Sequence, residues 1–224
     1  MTVTYYRDLV QGSDEWLEAR RGLITASNIG KLLTPTLRVA DNDTSRNLTL
    51  TLAAERITGH IEYQHPTFDM QRGTEDEPWA RIAYNEHHAP VTEVGFVTLE
   101  TPDYKLGYSP DGLVGDDGLI EIKSRRAQGQ LIAILSDRVP NANIAQLQAG
   151  MFVTGRKWCD YVSYSAGLPL YVKRVWADLE WHAAIEAAAT IFEININDTI
   201  TRYQNAARLL PATERRPELD EIRI

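Results

Sequence analysis

Helical spacing of apolar residues dominates the first part of the chain. Ser13-Asp-Glu-Trp-Leu-Glu-Ala-Arg20 reads as a short helix capped by Ser13, Ser27 to Leu33 as a second, and Arg46 to Ile57 as a third closed by Gly59. The N-terminal quarter is therefore expected to be helical. Phe68 to Glu86 continues in the same period and stops before Ala89-Pro90, after which Val91 to Leu99 changes to β-branched alternation. Short strands are expected at Lys105–Ser109, Gly112–Val114 and Leu119–Lys123, with Gly115-Asp-Asp-Gly118 as the turn of a tight hairpin that closes a meander. Helices follow at Gln128–Ser136 and Ile144–Val153, strands at Asp160–Tyr164 and Tyr171–Trp176, and a long helix over Leu179–Tyr203. The order implies an α/β (α+β) fold, a mixed β-sheet flanked by helices. One domain is expected over residues 1–206. Residues 207–224, with Pro211, Pro217 and mixed charges, read as a tail without a buried face.

Composition narrows the class. The 224 residues are 43% apolar and 24% charged, which a disordered chain does not show. No stretch approaches the ~20 apolar residues of a membrane span, and the start lacks the layout of a secretion signal. A cytoplasmic location with no membrane partner is expected. Cys159 is the sole cysteine, so it forms no internal disulfide and builds no zinc or iron–sulfur site alone. A metal here must be held by oxygen ligands. The net charge of −8 argues against nucleic acid, but residues 61–120 hold 3 Lys/Arg against 12 Asp/Glu, whereas 121–174 hold 8 against 3. That contrast is either uneven surface charge or a carboxylate site for hard cations beside a phosphate-binding wall.

The segment from Ser109 to Ser124 carries the candidate chemistry. Strand alternation puts Glu121 and Lys123 on one face and Ile120 and Ile122 on the other, so the two charges are expected to point away from the core. Asp111 joins them only if the hairpin loop has an odd number of residues. A three-residue loop at 115–117 sets it opposite Glu121, and a two-residue loop flips it. An Asp and a Glu together, with a Lys beside them, would hold a divalent cation and keep an ammonium near an attacked phosphate or water. The alternative is a solvated hairpin face with a surface pair of little weight. Pro110 and Gly112 favour the first reading, because they hold Asp111 at a bend.

These residues carry a resemblance to the phage lambda exonuclease family, the YqaJ-type viral recombinases, within the PD-(D/E)xK nuclease superfamily. Arg20-Arg-Gly-Leu-Ile-Thr-Ala-Ser27 resembles the family's R-x-G-x-x-T-A-S block, Gly73-Thr-Glu-Asp-Glu77 its G-x-x-x-E helix, and Ser109-Pro-Asp-Gly112 its S-P-D-G turn. Glu121-Ile-Lys123 resembles its E-x-K strand and Gln146-Leu-Gln148 its Q-x-Q helix. The resemblance implies a restriction-endonuclease-like core with a central mixed sheet. It implies an Mg²⁺-dependent 5′→3′ exonuclease that digests one strand of linear duplex DNA to mononucleotides and leaves 3′ single strands for annealing. Two ions per site are implied, with Mn²⁺ as a substitute. A homotrimeric ring around the DNA and a single-strand annealing protein are the implied partners. Glu77, Asp111 and Glu121 become metal ligands, joined by the main-chain carbonyl of Ile122. Lys123 orients or activates the attacking water, and Gln146 holds that lysine or the scissile phosphate. Arg20, Ser27 and Ser109 become the 5′-phosphate pocket, and Met70 takes the place of the apolar wedge that parts the strands.

Each role has a rival. Glu77 could be the far half of a capping box begun by Thr74, or the partner of Arg81 one turn on. Glu75 and Asp76 compete with it. Gln146 is preferred to Gln148 on a helix where glutamines ordinarily mean a wet face. Trp16 and Arg20 are i, i+4 neighbours and Ser27 opens the expected second helix, where free N–H groups attract an anion; the alternative is a packing Trp, a surface Arg and a plain cap. Arg21 competes with Arg20 if the helix phase differs. Arg125, Arg126, Arg156 and Lys157 are candidate phosphate contacts. His87 and His88 diverge on their helix and read as helix-end residues instead of metal ligands. Rival functions are a sequence- or structure-specific endonuclease on the same scaffold, a non-cleaving DNA-end binding module, and a phosphoesterase for small substrates.

Overall fold

The structure, a computed structural model, describes residues 1–62 and 65–215. Its helices are α1 (Asp14–Arg20), α2 (Asp43–Thr58), α3 (Phe68–His87), α4 (Ala127–Ser136), α5 (Asn141–Thr154) and α6 (Leu179–Ala207). The strands are β1 (Thr2–Tyr6), β2 (Ile24–Thr25), β3 (Val91–Thr92), β4 (Phe96–Glu100), β5 (Lys105–Tyr108), β6 (Gly112–Val114), β7 (Gly118–Ser124), β8 (Trp158–Tyr164) and β9 (Tyr171–Trp176). Among the described residues they form two mixed sheets, ordered β1-β4-β5-β2 and β3-β6-β7-β8-β9. The fold is thus the mixed α+β class expected, with its β-structure divided.

Three expectations about secondary structure are corrected. The N-terminal quarter is not wholly helical, because Thr2–Tyr6 pairs antiparallel with β4, Val3 opposite Leu99 and Tyr5 opposite Val97. Ser27–Leu33 holds only a 3₁₀ turn, Ile29–Leu32. There Asn28 turns its side-chain oxygen back to the Thr25 N–H and does not cap a helix, and the buried Ile29 and Leu32 are spaced for a three-residue turn. The meander is broken as well, since β5 and β6 belong to different sheets and Ser109-Pro110-Asp111 crosses between them.

The hairpin of β6 and β7 sets the register that matters. Gly112 pairs with Ile120 and Val114 with Gly118, leaving a three-residue loop, Gly115 to Asp117, in which Gly115 has φ +50°. One step further along the ladder, Asp111 stands opposite Glu121. β7 lies inside its sheet, antiparallel to β6 and parallel to β8, and both of its faces are covered. Ile120 and Ile122 pack with Ala80 and Tyr84 of α3, while Leu119 joins the larger core with Leu147 and Met151 of α5. The expectation that Glu121 points away from the core is therefore wrong: it is 2% exposed, as befits a central strand enclosed by helices on both sides.

Helix α5 packs against β4 and β5 of the first sheet and against β7 and β8 of the second. Gly150 permits this approach, because a Cβ there would fall 2.7 Å from the Tyr108 ring. Beyond α6, residues 208–215 are largely exposed, including Leu209 and Leu210; the rest of the expected tail, 216–224, lies outside the described residues. No described helix is long and apolar enough to cross a membrane.

Candidate active site

Glu121, on β7, is the hub of a buried polar cluster. Its Oε1 accepts from Lys123 Nζ at 2.8 Å and from the Gln146 amide, and its Oε2 accepts from the Tyr108 hydroxyl at 3.0 Å. Lys123 Nζ also donates to Gln146 Oε1 at 3.1 Å. Alternation along β7 puts Glu121 and Lys123 on the same face, and Gln146 reaches down from α5, so the E-x-K and Q-x-Q blocks meet. Asp111 Oδ2 accepts from the Ile122 N–H at 2.6 Å, fixing that carboxylate to the strand opposite. Desolvation and then the charges of Glu121 and Glu77 push the Asp111 carboxyl well above its usual range, against Lys123 and the Ile122 N–H. Burial acts to lower the Lys123 ammonium, but the Glu121 and Asp111 carboxylates outweigh it and hold the group charged. Burial and Glu121 likewise raise the Tyr108 phenol, which stays a donor.

Glu77 comes from α3 and pairs with Arg81, the i+4 partner foreseen as its rival. Helix α3 runs unbroken through Thr74, so the capping-box reading fails. The same guanidinium donates to the Asp111 carbonyl at 3.0 Å and meets Glu93 at 2.8 Å, which ties Glu77 to the Asp111 turn. Desolvation raises the Glu77 carboxyl, Arg81 lowers it, and Glu121 and Glu93 raise it further.

The donor set suits a hard cation. Mutually repelling carboxylates from α3, the Asp111 turn and β7 share one region, where burial and the carboxylates of Glu121 and Asp111 keep the nearby Cys159 thiol protonated, and a bound divalent ion would relieve the repulsion. Among the described residues, however, no three such groups already converge as a closed shell. Glu77 would have to exchange Arg81 for the ion, and the Ile122 carbonyl and Asp111 would complete its surroundings.

A second cluster lies at the same turn. Trp16 Nε1 and Arg20 Nη1 both donate to Ser109 Oγ, at 3.0 and 3.1 Å, and the Arg20 guanidinium lies over the Trp16 ring at 4.1 Å. Burial pushes the Arg20 pKa down to about 10, against the pull of Glu55. Arg21 instead pairs with Glu18 and the Gly59 carbonyl. Parallel pairing of Thr25 with Gly107 sends Ser27 and Ser109 past the same end of their strands. Ser27 is exposed, with its hydroxyl 3.1 Å from that of Thr25, and it sits in a turn instead of opening a helix, so the expected helix-end N–H groups are not what surrounds it.

The remaining candidates separate. Met70 is 58% exposed near the start of α3. Arg125 is committed to the Tyr161 hydroxyl and Asn143, whereas Arg126 reaches Asp69 across the surface. Arg156 clamps the hairpin loop through the carbonyls of Val114, Gly115 and Gly118, and Lys157 pairs with Asp117 in that loop. Gln148 is buried and bonds the Trp176 carbonyl and the Asp178 N–H. His87 ends α3 and His88 caps it. Sequence reasoning missed Tyr108, whose hydroxyl donates to Glu121. The position of Tyr108, directly before Ser109-Pro-Asp, was the available signal.

Comparison with known proteins identifies the family. The family model described as the YqaJ-like viral recombinase domain matches residues 15–157. The crystal structure of an alkaline exonuclease, LHK-Exo, from Laribacter hongkongensis is similar at 36% identity and TM-score 0.78, covering 89% of this chain and 100% of that one. The same figures hold for LHK-Exo in complex with dAMP. A phage-related exonuclease from Haemophilus somnus 129PT shares the fold at 12% identity and TM-score 0.59, over 80% of this chain and 96% of that one. No curated protein sequence matches. With the family model spanning well over half of its residues, this chain belongs to the YqaJ-like viral recombinase family.

Proposed function

We propose that the protein is a metal-dependent 5′→3′ exonuclease that digests one strand of linear duplex DNA to mononucleotides and leaves 3′ overhangs for single-strand annealing. The observation that carries this reading is the juxtaposition of Asp111, Glu121 and Lys123 at one bend, with Gln146 closing over them. Mg²⁺, for which Mn²⁺ would substitute and of which two ions per site are expected, supplies charge neutralisation at the phosphate and an acidified water when bound. Glu77, Asp111, Glu121 and the Ile122 carbonyl are the groups that would hold it. Lys123 presents its ammonium to the attacking water or to a phosphate oxygen. Gln146 positions that lysine by accepting from Nζ while its own amide donates to Glu121. The reaction is an in-line displacement: an oxygen–phosphorus bond forms to water, the bond to the leaving sugar oxygen breaks, and the proton that the attacking water gives up to solvent is balanced by the one that the leaving sugar oxygen takes up.

Trp16, Arg20 and Ser109 supply the 5′-phosphate pocket, with Ser27 beside it. A desolvated guanidinium held over an indole is matched to a dianionic terminal phosphate. A homotrimeric ring would let an acidic protein stay on DNA, and an annealing protein would take up the exposed strand.

The test is digestion of linear duplex with and without a 5′-phosphate, with Mg²⁺ or chelator. Rapid digestion of phosphorylated ends is expected in Mg²⁺, none in chelator, and none by Asp111→Ala. Arg20→Gln should erase most of the preference for phosphorylated ends. Undiminished cleavage by Asp111→Ala would remove the site, and equal cutting of closed circles would favour an endonuclease.

A further inference from the structure

Beside Ser124, the residue after Lys123, two guanidiniums converge on one carboxylate. Asp69 Oδ1 accepts from Arg72 Nη1 at 2.7 Å and from Arg126 at 3.0 Å (Nη2) and 3.4 Å (Nε). Arg72 does not depend on Asp69 for its place. Its Nε donates to Ser124 Oγ at 3.0 Å, and that hydroxyl donates to Asp76 Oδ2 at 2.6 Å. Ser124 follows Lys123 and Asp76 precedes Glu77, so Arg72 is braced on both the strand and the helix that carry the centre. Arg126, with 69% of its side chain exposed, has among the described residues no other hydrogen-bond partner for its guanidinium.

We propose that Arg72 and Arg126 form a fork for a backbone phosphate of the DNA, and that Asp69 occupies it as a built-in competitor until the nucleic acid arrives. The proposal rests on the nuclease reading above and adds to it a strand contact outside the 5′-phosphate pocket. Exposed ion pairs of this kind contribute little and open readily. A phosphate offers several acceptor oxygens where Asp69 offers one to both partners, and guanidinium forks suit it in bidentate geometry. Asp69 lies in the first turn of α3, so a phosphate replacing it would also meet the favourable end of that helix dipole. Exposed Phe68 and Met70 flank the position and give a strand an apolar surface to lie against. Arg125, next in sequence to Arg126, is withheld from the fork by Tyr161 and Asn143.

The experiment is fluorescence anisotropy of a labelled, 5′-phosphorylated linear duplex, titrated with the full chain in chelator over a series of salt concentrations. Asp69→Asn should bind roughly threefold to tenfold tighter than wild type, the scale of releasing a weak exposed pair on each arginine. Arg72→Gln and Arg126→Gln should weaken binding and flatten the salt dependence by about 0.9 each in logarithmic slope. The gain from Asp69→Asn should vanish in the Arg72→Gln/Arg126→Gln background. Melting temperatures establish that each variant is folded. A gain that persists in the double-arginine background means that Asp69 merely repels DNA, and that outcome overturns the fork. So does an Asp69→Asn variant that binds no tighter, or an Arg126→Gln variant with the wild-type slope. If wild type binds no duplex at any salt, the nuclease reading falls as well.

Discussion

Gly150→Ala probes the close packing beneath the polar cluster around Glu121. The new Cβ would lie 2.7 Å from Cζ, 2.8 Å from Cε1 and 3.1 Å from the hydroxyl oxygen of Tyr108. That ring is 2% exposed and its hydroxyl is engaged with Glu121, so it has no free space to retreat into. Two effects oppose each other. Alanine in a helix interior is favoured over glycine by about 1 kcal/mol, while forcing a methyl into a filled site costs about 1–3 kcal/mol. The net is a destabilisation of about 1 kcal/mol, which in a chain of this size lowers the Tm by roughly 2–4 °C. Unhindered Gly→Ala would raise it. Differential scanning calorimetry reads the sign directly. Gln146 precedes Gly150 by one turn on the same face of α5, so displacing the helix also lifts its amide from Lys123. Turnover on linear duplex should fall about tenfold to a hundredfold, the usual scale for a misplacement near 1 Å. In the double variant with Tyr108→Leu the clash is gone, and a coupling of about 1 kcal/mol or more should appear. A raised Tm for Gly150→Ala, or strict additivity with Tyr108→Leu, would refute the packing argument.

Two further outcomes follow from buried charge. Asp160 is 3% exposed and receives Arg174 at 2.8 and 2.9 Å and the Tyr84 hydroxyl at 2.7 Å. Arg174→Met leaves that carboxylate with the Tyr84 hydroxyl alone and should cost about 1–3 kcal/mol in urea unfolding, and adding Asp160→Asn should restore much of it; equal stability of Arg174→Met and wild type would contradict the account. His182 is half-buried with Nε2 unpartnered among the described residues, and burial lowers its pKa below the usual 6.5 against Asp178 and a backbone contact with Gln148. Below pH 6.5 the unfolded chain therefore takes up the proton first, so stability falls as the pH drops through that value and levels off below the folded pKa. His182→Gln should flatten that part of a stability-against-pH curve, and an unchanged slope would assign it to other groups.

Legibility in the sequence followed the range of the interactions. α3 and α6 announce themselves by period, and the β6–β7 hairpin by Gly115-Asp-Asp-Gly118, because caps and turns are decided within a few residues. β1 was missed for the opposite reason: it is mostly exposed, its partner β4 lies about 90 residues away, and without a buried face it has no alternation to read. The 3₁₀ turn at Ile29–Leu32 reads as a longer helix in the sequence since two apolar residues three apart satisfy both periods.

The site divides along the same line, and Glu121 and Glu77 mark its two sides. Whether Asp111 faces Glu121 hung on the parity of the hairpin loop, which is local geometry that the sequence left open and the three-residue loop decides. That Glu121 is buried could not be read locally, because its environment is made by α5 and by Tyr108, which arrive from other parts of the chain. Glu77 shows the converse. Its pairing with Arg81 was foreseen from i, i+4 spacing, and in an isolated helix such a pair contributes only a few tenths of a kcal/mol, roughly 0.2–0.5. Here the same guanidinium also grips the Asp111 carbonyl and Glu93. An interaction that looks like a rival to the proposed ligand role is thus also the tether that holds the α3 carboxylate to the Asp111 turn.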